Sequence, residues 1–185
     1  MKIVCFGDSN TWGFDPRDFF GGPYDAIWPE ILQKKTGCVV CNQGENGREI
    51  PTDRVSFPED TDLLILMLGT NDLLQHGDPE AVCRKMEQFV QRLVTERISI
   101  LLVAPPHMRF GSWVTDPDMI SASASMSEGF RRLAQQSGIL FADAQNWNVE
   151  IAYDGVHFTE NGHQHFAEGM IQYFKKELEI CFKTE

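Results

Sequence analysis

Long hydrophobic runs are absent from this chain of 185 residues. No stretch approaches the roughly 20 consecutive apolar residues that a membrane-spanning helix needs. The apolar segment near the start, residues 3–6, is too short for the core of a signal peptide. We therefore expect a cytoplasmic protein that has no membrane as a partner.

Basic residues are also scarce, since 16 Lys and Arg stand against 27 Asp and Glu, for a formal net charge of −11. Such a surface repels phosphate backbones, so nucleic acid is not expected as a partner. The odd number of cysteines, five, favours a reducing compartment over a disulfide framework. Cys38 and Cys41 lie three apart in a segment typical of a strand, where they would face opposite ways. That arrangement favours buried thiols, and we expect neither a metal nor another cofactor.

Short apolar strands alternate with amphipathic helices along the chain. The predicted strands are 2–6, 38–42, 62–68, 98–104 and 139–142, and the predicted helices are 25–35, 79–97, 121–137 and 160–182. Strand 62–68 is apolar almost throughout, as in strands that are buried on both faces. The alternation predicts one α/β domain over residues 1–185. Its architecture is a three-layer α/β/α sandwich with a five-stranded parallel sheet, flavodoxin-like in type.

Polar motifs follow four of the predicted strands. Ser9 comes after the first strand, Gly47 after the second, Asn71 after the third, and the segment 154–157 after the fifth. In a parallel α/β sheet, ligands bind beyond the carboxyl ends of the strands. We therefore expect these four segments to meet at one edge of the sheet, although they are far apart in sequence.

Ser9, His157 and Asp154 are the residue types of a serine hydrolase. Serine becomes a strong nucleophile when a histidine takes its proton, and a third group fixes the tautomer of that histidine. Each residue also has a structural interpretation, because a turn serine is common and Asp154 or Thr159 can cap the following helix. Donors for a developing oxyanion would come from a glycine backbone, Gly44 or Gly47, and from a neutral side-chain amide.

Four motifs resemble, in the same order, four sequence blocks of the SGNH (GDSL) hydrolase family. They are Gly7-Asp8-Ser9-Asn10, Asn42-Gln43-Gly44-Glu45-Asn46-Gly47-Arg48, Gly69-Thr70-Asn71-Asp72 and Asp154-Gly155-Val156-His157. The resemblance implies that Ser9 is the nucleophile, His157 the general base and Asp154 its orienting acid. It also implies an oxyanion hole made by the backbone N–H groups of Ser9 and Gly47 and the side chain of Asn71.

One position departs from the family pattern, because Asn10 stands where the motif that names the family has Leu. This position follows the nucleophile and is interpreted as variable. The surrounding runs are most similar to the branch of small bacterial arylesterases and acyltransferases. The resemblance therefore implies a serine esterase that cleaves a small or aryl carboxylic ester, a small-molecule substrate, through an acyl-enzyme on Ser9.

Two loops rich in aromatic residues, 14–23 and 105–119, leave the predicted site edge of the sheet. Trp12, Phe110 and Trp113 are candidate walls of a substrate pocket, although aromatic loops can equally form the face of a homo-oligomer. A carbohydrate acetylesterase or a thioesterase of the same family stays open as the activity. From a different class, a flavodoxin-like binding module would hold a phosphate with Ser9, Asn10 and Thr11.

Overall fold

A sheet of five parallel strands lies at the centre of the computed structural model, which describes residues 1–94 and 98–178. The strands are β1 (Lys2–Gly7), β2 (Val39–Gly44), β3 (Leu63–Met67), β4 (Ser99–Ala104) and β5 (Leu140–Asp143). Their spatial order is β2-β1-β3-β4-β5. This is the order of a flavodoxin-like doubly wound sheet, so the predicted fold class is confirmed.

Helices cover both faces of the sheet. They are α1 (Ser9–Trp12), α2 (Trp28–Thr36), α3 (Thr70–His76), α4 (Pro79–Leu93), α5 (Pro117–Ser137) and α6 (Glu160–Glu177). Alternate residues of a strand point to opposite faces, and the core divides accordingly. Val4 and Leu64 pack in the layer that contains α4 and α5, whereas Ile3 and Leu63 pack in the layer that contains α2 and α6.

Two helices have a proline in their first turn that the hydrophobic pattern did not single out. The predicted helix 25–35 is wrong at its start, because α2 begins at Trp28 with Pro29 in its first turn. Proline has no backbone N–H to donate and is tolerated only there. The predicted helix 121–137 begins four residues early, at Pro117, because the Asp116 side chain caps it by accepting a hydrogen bond from the Asp118 backbone N–H.

Other boundaries also differ from those expected. The prediction for Gly69-Thr70-Asn71-Asp72 did not include a helix, but these residues begin α3, with Gly69 as the N-cap. Cys38 lies just before β2 instead of inside it. Helix α4 ends at Leu93, and residues 95–97 of the predicted helix lie outside the described residues, as do residues 179–182 of the last predicted helix.

Within residues 1–94 and 98–178, no helix combines the length and the apolar character that a bilayer crossing requires. In the same part of the chain, no three His, Cys, Asp or Glu side chains gather as a metal ion would require.

Candidate active site

Ser9 lies in a sharp turn between β1 and α1. It is the first residue of α1, and the Asp8 side chain caps this helix by accepting a hydrogen bond from the Asn10 backbone N–H at 3.0 Å. Gly7 is required at the strand end, because a Cβ there would lie 2.1 Å from the Thr11 hydroxyl oxygen. The turn places the Ser9 side chain at the carboxyl edge of the sheet, where the sequence predicted it.

His157 and Asp154 lie in the loop before α6 and reach Ser9. The Asp154 Oδ1 atom accepts hydrogen bonds from the backbone N–H groups of Val156, at 2.9 Å, and of His157, at 3.0 Å. Its Oδ2 atom lies 2.7 Å from His157 Nδ1. The other ring nitrogen, His157 Nε2, lies 3.0 Å from Ser9 Oγ. The structure thus joins three side chains that the sequence separates by as many as 148 positions.

Burial and hydrogen bonding define the charge state of this group. Asp154 is only 1% exposed. Burial alone would raise its pKa, but the hydrogen bonds from the His157 ring and from the two backbone N–H groups lower the pKa of Asp154 below its usual value. A charged Asp154 keeps the proton of the imidazole on Nδ1. The Nε2 lone pair therefore faces the hydroxyl of Ser9.

Asp8 is a second buried carboxyl group close to this site. Burial raises its pKa to about 6, against the opposing influence of the Asn10 backbone, the nearby His157 and the Thr70 hydroxyl. The Asp8 side chain, which has this raised pKa, is the N-cap of α1 and directly precedes Ser9. Asp8 therefore supports the turn that carries Ser9.

Gly47 and Asn71, the two further residues proposed for an oxyanion hole, lie in adjoining segments. Gly47 is exposed in the loop after β2 and has a φ of +74°, a left-handed conformation that favours glycine. Asn71, in the first turn of α3, donates a hydrogen bond from Nδ2 to the Arg48 backbone carbonyl at 3.0 Å. An amide nitrogen carries two hydrogens. One N–H of Asn71 therefore holds the Gly47 loop, and the other stays available for a substrate oxygen.

Charged side chains brace this loop from below. The Asp72 carboxylate accepts a hydrogen bond from the Ile50 backbone N–H at 2.9 Å and another from Lys85 Nζ at 2.6 Å. The Arg48 guanidinium lies 4.3 Å from the centre of the Phe6 ring and donates a hydrogen bond to the Gly7 carbonyl at 3.0 Å. The loop after β2 is thereby tied to β1 and α4. From the sequence, Asp72 was expected to hold this loop, but the support from Arg48 was not identified.

Aromatic rings flank the imidazole. The Phe14 ring centre lies 4.6 Å from that of His157, and the Trp113 ring centre lies 5.0 Å from it. Trp113 and Phe110 are 56% and 66% exposed, as befits residues of the 105–119 loop. Trp12 is half-buried at the end of α1, where its backbone packs against Gly44. Of the three predicted wall residues, Trp113 contacts the imidazole. Phe14 contacts it as well, but the sequence analysis did not single out this residue.

The profile of the GDSL-like lipase/acylhydrolase family matches residues 5–165. The match spans all four polar motifs, from Ser9 to His157. Among curated proteins, none matches the chain significantly.

Solved structures of esterases are similar to this one over nearly their whole length. An arylesterase from Agrobacterium tumefaciens, described as putative, has a TM-score of 0.79 and 26% identity, with coverage of 94% of this chain and 98% of its own. A carbohydrate acetylesterase family member from Sinorhizobium meliloti has a TM-score of 0.80 and 24% identity, with coverage of 97% and 99%. The aryl esterase of M. smegmatis has a TM-score of 0.76 and 23% identity, with coverage of 94% and 98%.

Proposed function

Because the chain belongs to the GDSL-like lipase/acylhydrolase family and is an ester-hydrolysing enzyme, we propose that it cleaves small or aryl carboxylic esters through an acyl-enzyme on Ser9. The observation that carries this proposal is the line of hydrogen bonds from Ser9 Oγ to His157 Nε2 and from His157 Nδ1 to Asp154 Oδ2, at 3.0 and 2.7 Å. Both lengths lie within hydrogen-bonding reach, as general-base catalysis requires.

The first half of the reaction acylates the enzyme. Ser9 Oγ attacks the ester carbonyl carbon while its proton passes to His157 Nε2, and the carbonyl oxygen becomes an oxyanion. The backbone N–H groups of Ser9 and Gly47 and the free N–H of Asn71 are the donors for that oxyanion. Ser9 is the first residue of α1, so its N–H has no acceptor inside the helix. The imidazolium then protonates the leaving alcohol as the C–O bond breaks.

The second half hydrolyses the acyl-enzyme. Water enters where the alcohol left, His157 Nε2 takes its proton, and the resulting hydroxide attacks the acyl carbon. Collapse of this second tetrahedral intermediate returns the proton to Ser9 Oγ and releases the carboxylic acid. Asp154 stays ionised throughout and stabilises the imidazolium. This role is supported by the lowered pKa of the Asp154 carboxyl.

The aromatic rings beside His157 support the proposed class of substrate. His157 protonates the leaving alcohol, so the alcohol part of the ester must lie beside the imidazole at that moment. Phe14 and Trp113 are the rings in contact with it. Flat apolar surfaces there favour an aromatic or compact alcohol, through offset or edge-to-face packing.

The alternative of a phosphate-binding module has less support. In that interpretation the side chains of Ser9, Asn10 and Thr11 face a ligand, but all three residues are buried, with exposures of 7%, 2% and 1%. The side chain of Asn10 is occupied by backbone groups of the loop before α6. The family match favours the enzyme.

The test is hydrolysis of p-nitrophenyl esters from acetate to octanoate by the wild type and by Ser9→Ala. We expect turnover by the wild type and its loss in the variant, and the acyl-chain series measures the size of the acyl site. Ser127→Ala is the matched control, because it removes another buried hydroxyl, one that donates to the Ser123 carbonyl in α5. A Ser9→Ala variant that turns over esters like the wild type would rule out the acyl-enzyme.

A further inference from the structure

Asn10, the residue after the proposed nucleophile, links the two halves of the site. Its Nδ2 atom donates a hydrogen bond to the Val156 carbonyl at 3.2 Å, and its Oδ1 atom accepts one from the Phe158 backbone N–H at 2.9 Å. Val156 and Phe158 are the chain neighbours of His157. A single amide side chain therefore holds the backbone on both sides of the imidazole.

We propose that Asn10 is a positioning residue that keeps His157 within hydrogen-bonding distance of Ser9. The inference rests on the proposed function and adds a role for a residue that the oxyanion hole and the proton transfer do not use. The Asn10 side chain bonds to backbone groups and not to the reacting atoms. It acts through the backbone that carries His157.

The hydrogen bonds within the loop that carries His157 cannot by themselves keep the imidazole close to Ser9. Asp154 accepts hydrogen bonds from the Val156 backbone N–H and from the backbone and ring of His157, but Asp154 belongs to the same loop and would move with it. Other backbone bonds join this loop to the 105–119 loop, such as that from the Arg109 N–H to the Gly155 carbonyl at 3.0 Å. These contacts orient the loop but do not connect it to the segment that carries Ser9. The two bonds of Asn10 do, because Asn10 follows Ser9 directly in α1.

Asn10 is itself held rigidly. It is 2% exposed, and its backbone carbonyl accepts a hydrogen bond from Trp28 Nε1 at 3.0 Å. The backbone N–H of Trp28 in turn donates to Nδ1 of the fully buried His163 at 3.3 Å, so α2 and α6 both support this residue. A rigid support is what positioning requires, since a shift of about 1 Å in a catalytic group can cost a hundredfold in rate.

A leucine at this position provides the sharpest test. Asn10→Leu keeps a similar volume but has neither the donor nor the acceptor. We expect kcat for p-nitrophenyl acetate to fall roughly a hundredfold while KM changes little, because Asn10 does not touch the substrate. In a His157→Ala background, the same substitution should have no further effect on residual turnover, because a residue that acts only through His157 has nothing left to position.

Two further measurements separate positioning from a general loss of stability. Val90→Ala opens a cavity in the core beneath the last turn of α4, and should lower the melting temperature without changing kcat. A crystal structure of Asn10→Leu should show His157 Nε2 displaced beyond hydrogen-bonding distance from Ser9 Oγ. If Asn10→Leu does not fold, Asn10→Ser removes the amide without adding apolar bulk and takes its place in all three measurements.

The outcomes distinguish this inference from the proposed function. Unchanged kcat, an equal loss in the His157→Ala background, or a retained Ser9–His157 distance would each overturn the role of Asn10 and leave the esterase intact. Wild-type turnover by Ser9→Ala would instead rule out the proposed acyl-enzyme. In that case the crystal structure alone would still decide whether Asn10 holds His157 in place.

Discussion

The replacement of Asp154 by asparagine isolates the electrostatic role of the carboxylate from its structural role. Asparagine has the same shape, and its Oδ1 atom can keep the two hydrogen bonds from the backbone N–H groups of Val156 and His157. Its amide nitrogen then takes the place of the Oδ2 atom that lies 2.7 Å from His157 Nδ1. That nitrogen donates, so His157 Nδ1 must accept and the ring proton moves to Nε2. A protonated Nε2 cannot take the proton of Ser9.

The expected magnitude follows from these contacts. An isosteric change that leaves the geometry of a Ser-His-Asp triad intact but imposes the wrong tautomer costs about 10⁴ in kcat. Stability should change little in Asp154→Asn because both backbone bonds remain. Asp154→Ala, in contrast, strands the buried backbone N–H groups of Val156 and His157, each at about 1–3 kcal/mol. It should therefore lose both activity and stability.

The assay is kcat for p-nitrophenyl acetate together with the free energy of unfolding from denaturant titration. Asp143→Asn is the matched control, because Asp143 also accepts a backbone N–H two residues on and pairs with a side chain, Arg131. It ends β5, three strands from β1 in the sheet and about 14 Å away at the usual strand spacing. An Asp154→Asn variant that is as stable as the wild type and retains more than a tenth of its kcat would refute the tautomer argument.

Two other substitutions test the surroundings of Ser9. Asp8→Asn should remove a pH dependence, because the folded pKa of Asp8 is raised from 3.8 to about 6. The wild type therefore binds an extra proton when folded and loses about 2 kcal/mol of stability as pH rises from 4 to 7. Denaturant titrations of both proteins at pH 4 and pH 8 measure this loss, and parallel curves would contradict it. Asn71→Ala should lower kcat for p-nitrophenyl acetate by about a hundred- to a thousandfold while KM changes little, and steady-state kinetics showing a rise in KM alone would assign Asn71 to substrate binding instead.

The sheet could be predicted from the sequence because its signals are local. The apolar run 62–68 contains β3, and all five residues of that strand are buried. The spacing of apolar residues identified α4, and its start is marked by Asp78 and Pro79. Helix starts were less predictable where one proline decides them, as at Pro29 and Pro117, because the apolar stripe of a helix says little about its first turn.

Helix α3 shows a different limit of local signals. Its seven residues are too few to display a helical period. The residue before it, Gly69, has a φ of +110°, and a glycine in the sequence at such a position is typical of a turn. Tertiary contacts hold the helix in place: Asp72 pairs with the Ile50 backbone and with Lys85, and Leu73 is buried. Tertiary contacts of this kind outweigh weak local preference in short segments.

The site could be predicted as a set of motifs but not as a geometry. Ser9, Asp154 and His157 stood out because their residue types and order carry the chemistry. Phe14 did not, because an aromatic residue in a loop has no signal that distinguishes a pocket wall from loop packing. Non-local contacts hold it in place: Phe14 forms an antiparallel bridge with Pro23, and its backbone N–H donates to the Ser9 carbonyl at 3.0 Å.

The contacts of Asn10 could not be predicted from the sequence. Its side-chain partners lie 146 and 148 positions away in the sequence, so no local sequence pattern indicates them. Leucine, which stands at this position in the family's name-giving motif, could fill the same space without forming either bond. In this chain the loop that carries His157 has two buried backbone groups, the Val156 carbonyl and the Phe158 N–H, which a leucine would leave unpaired at a cost of about 1–3 kcal/mol each. What the residue after Ser9 can do therefore depends on which backbone groups the fold leaves for it to pair with.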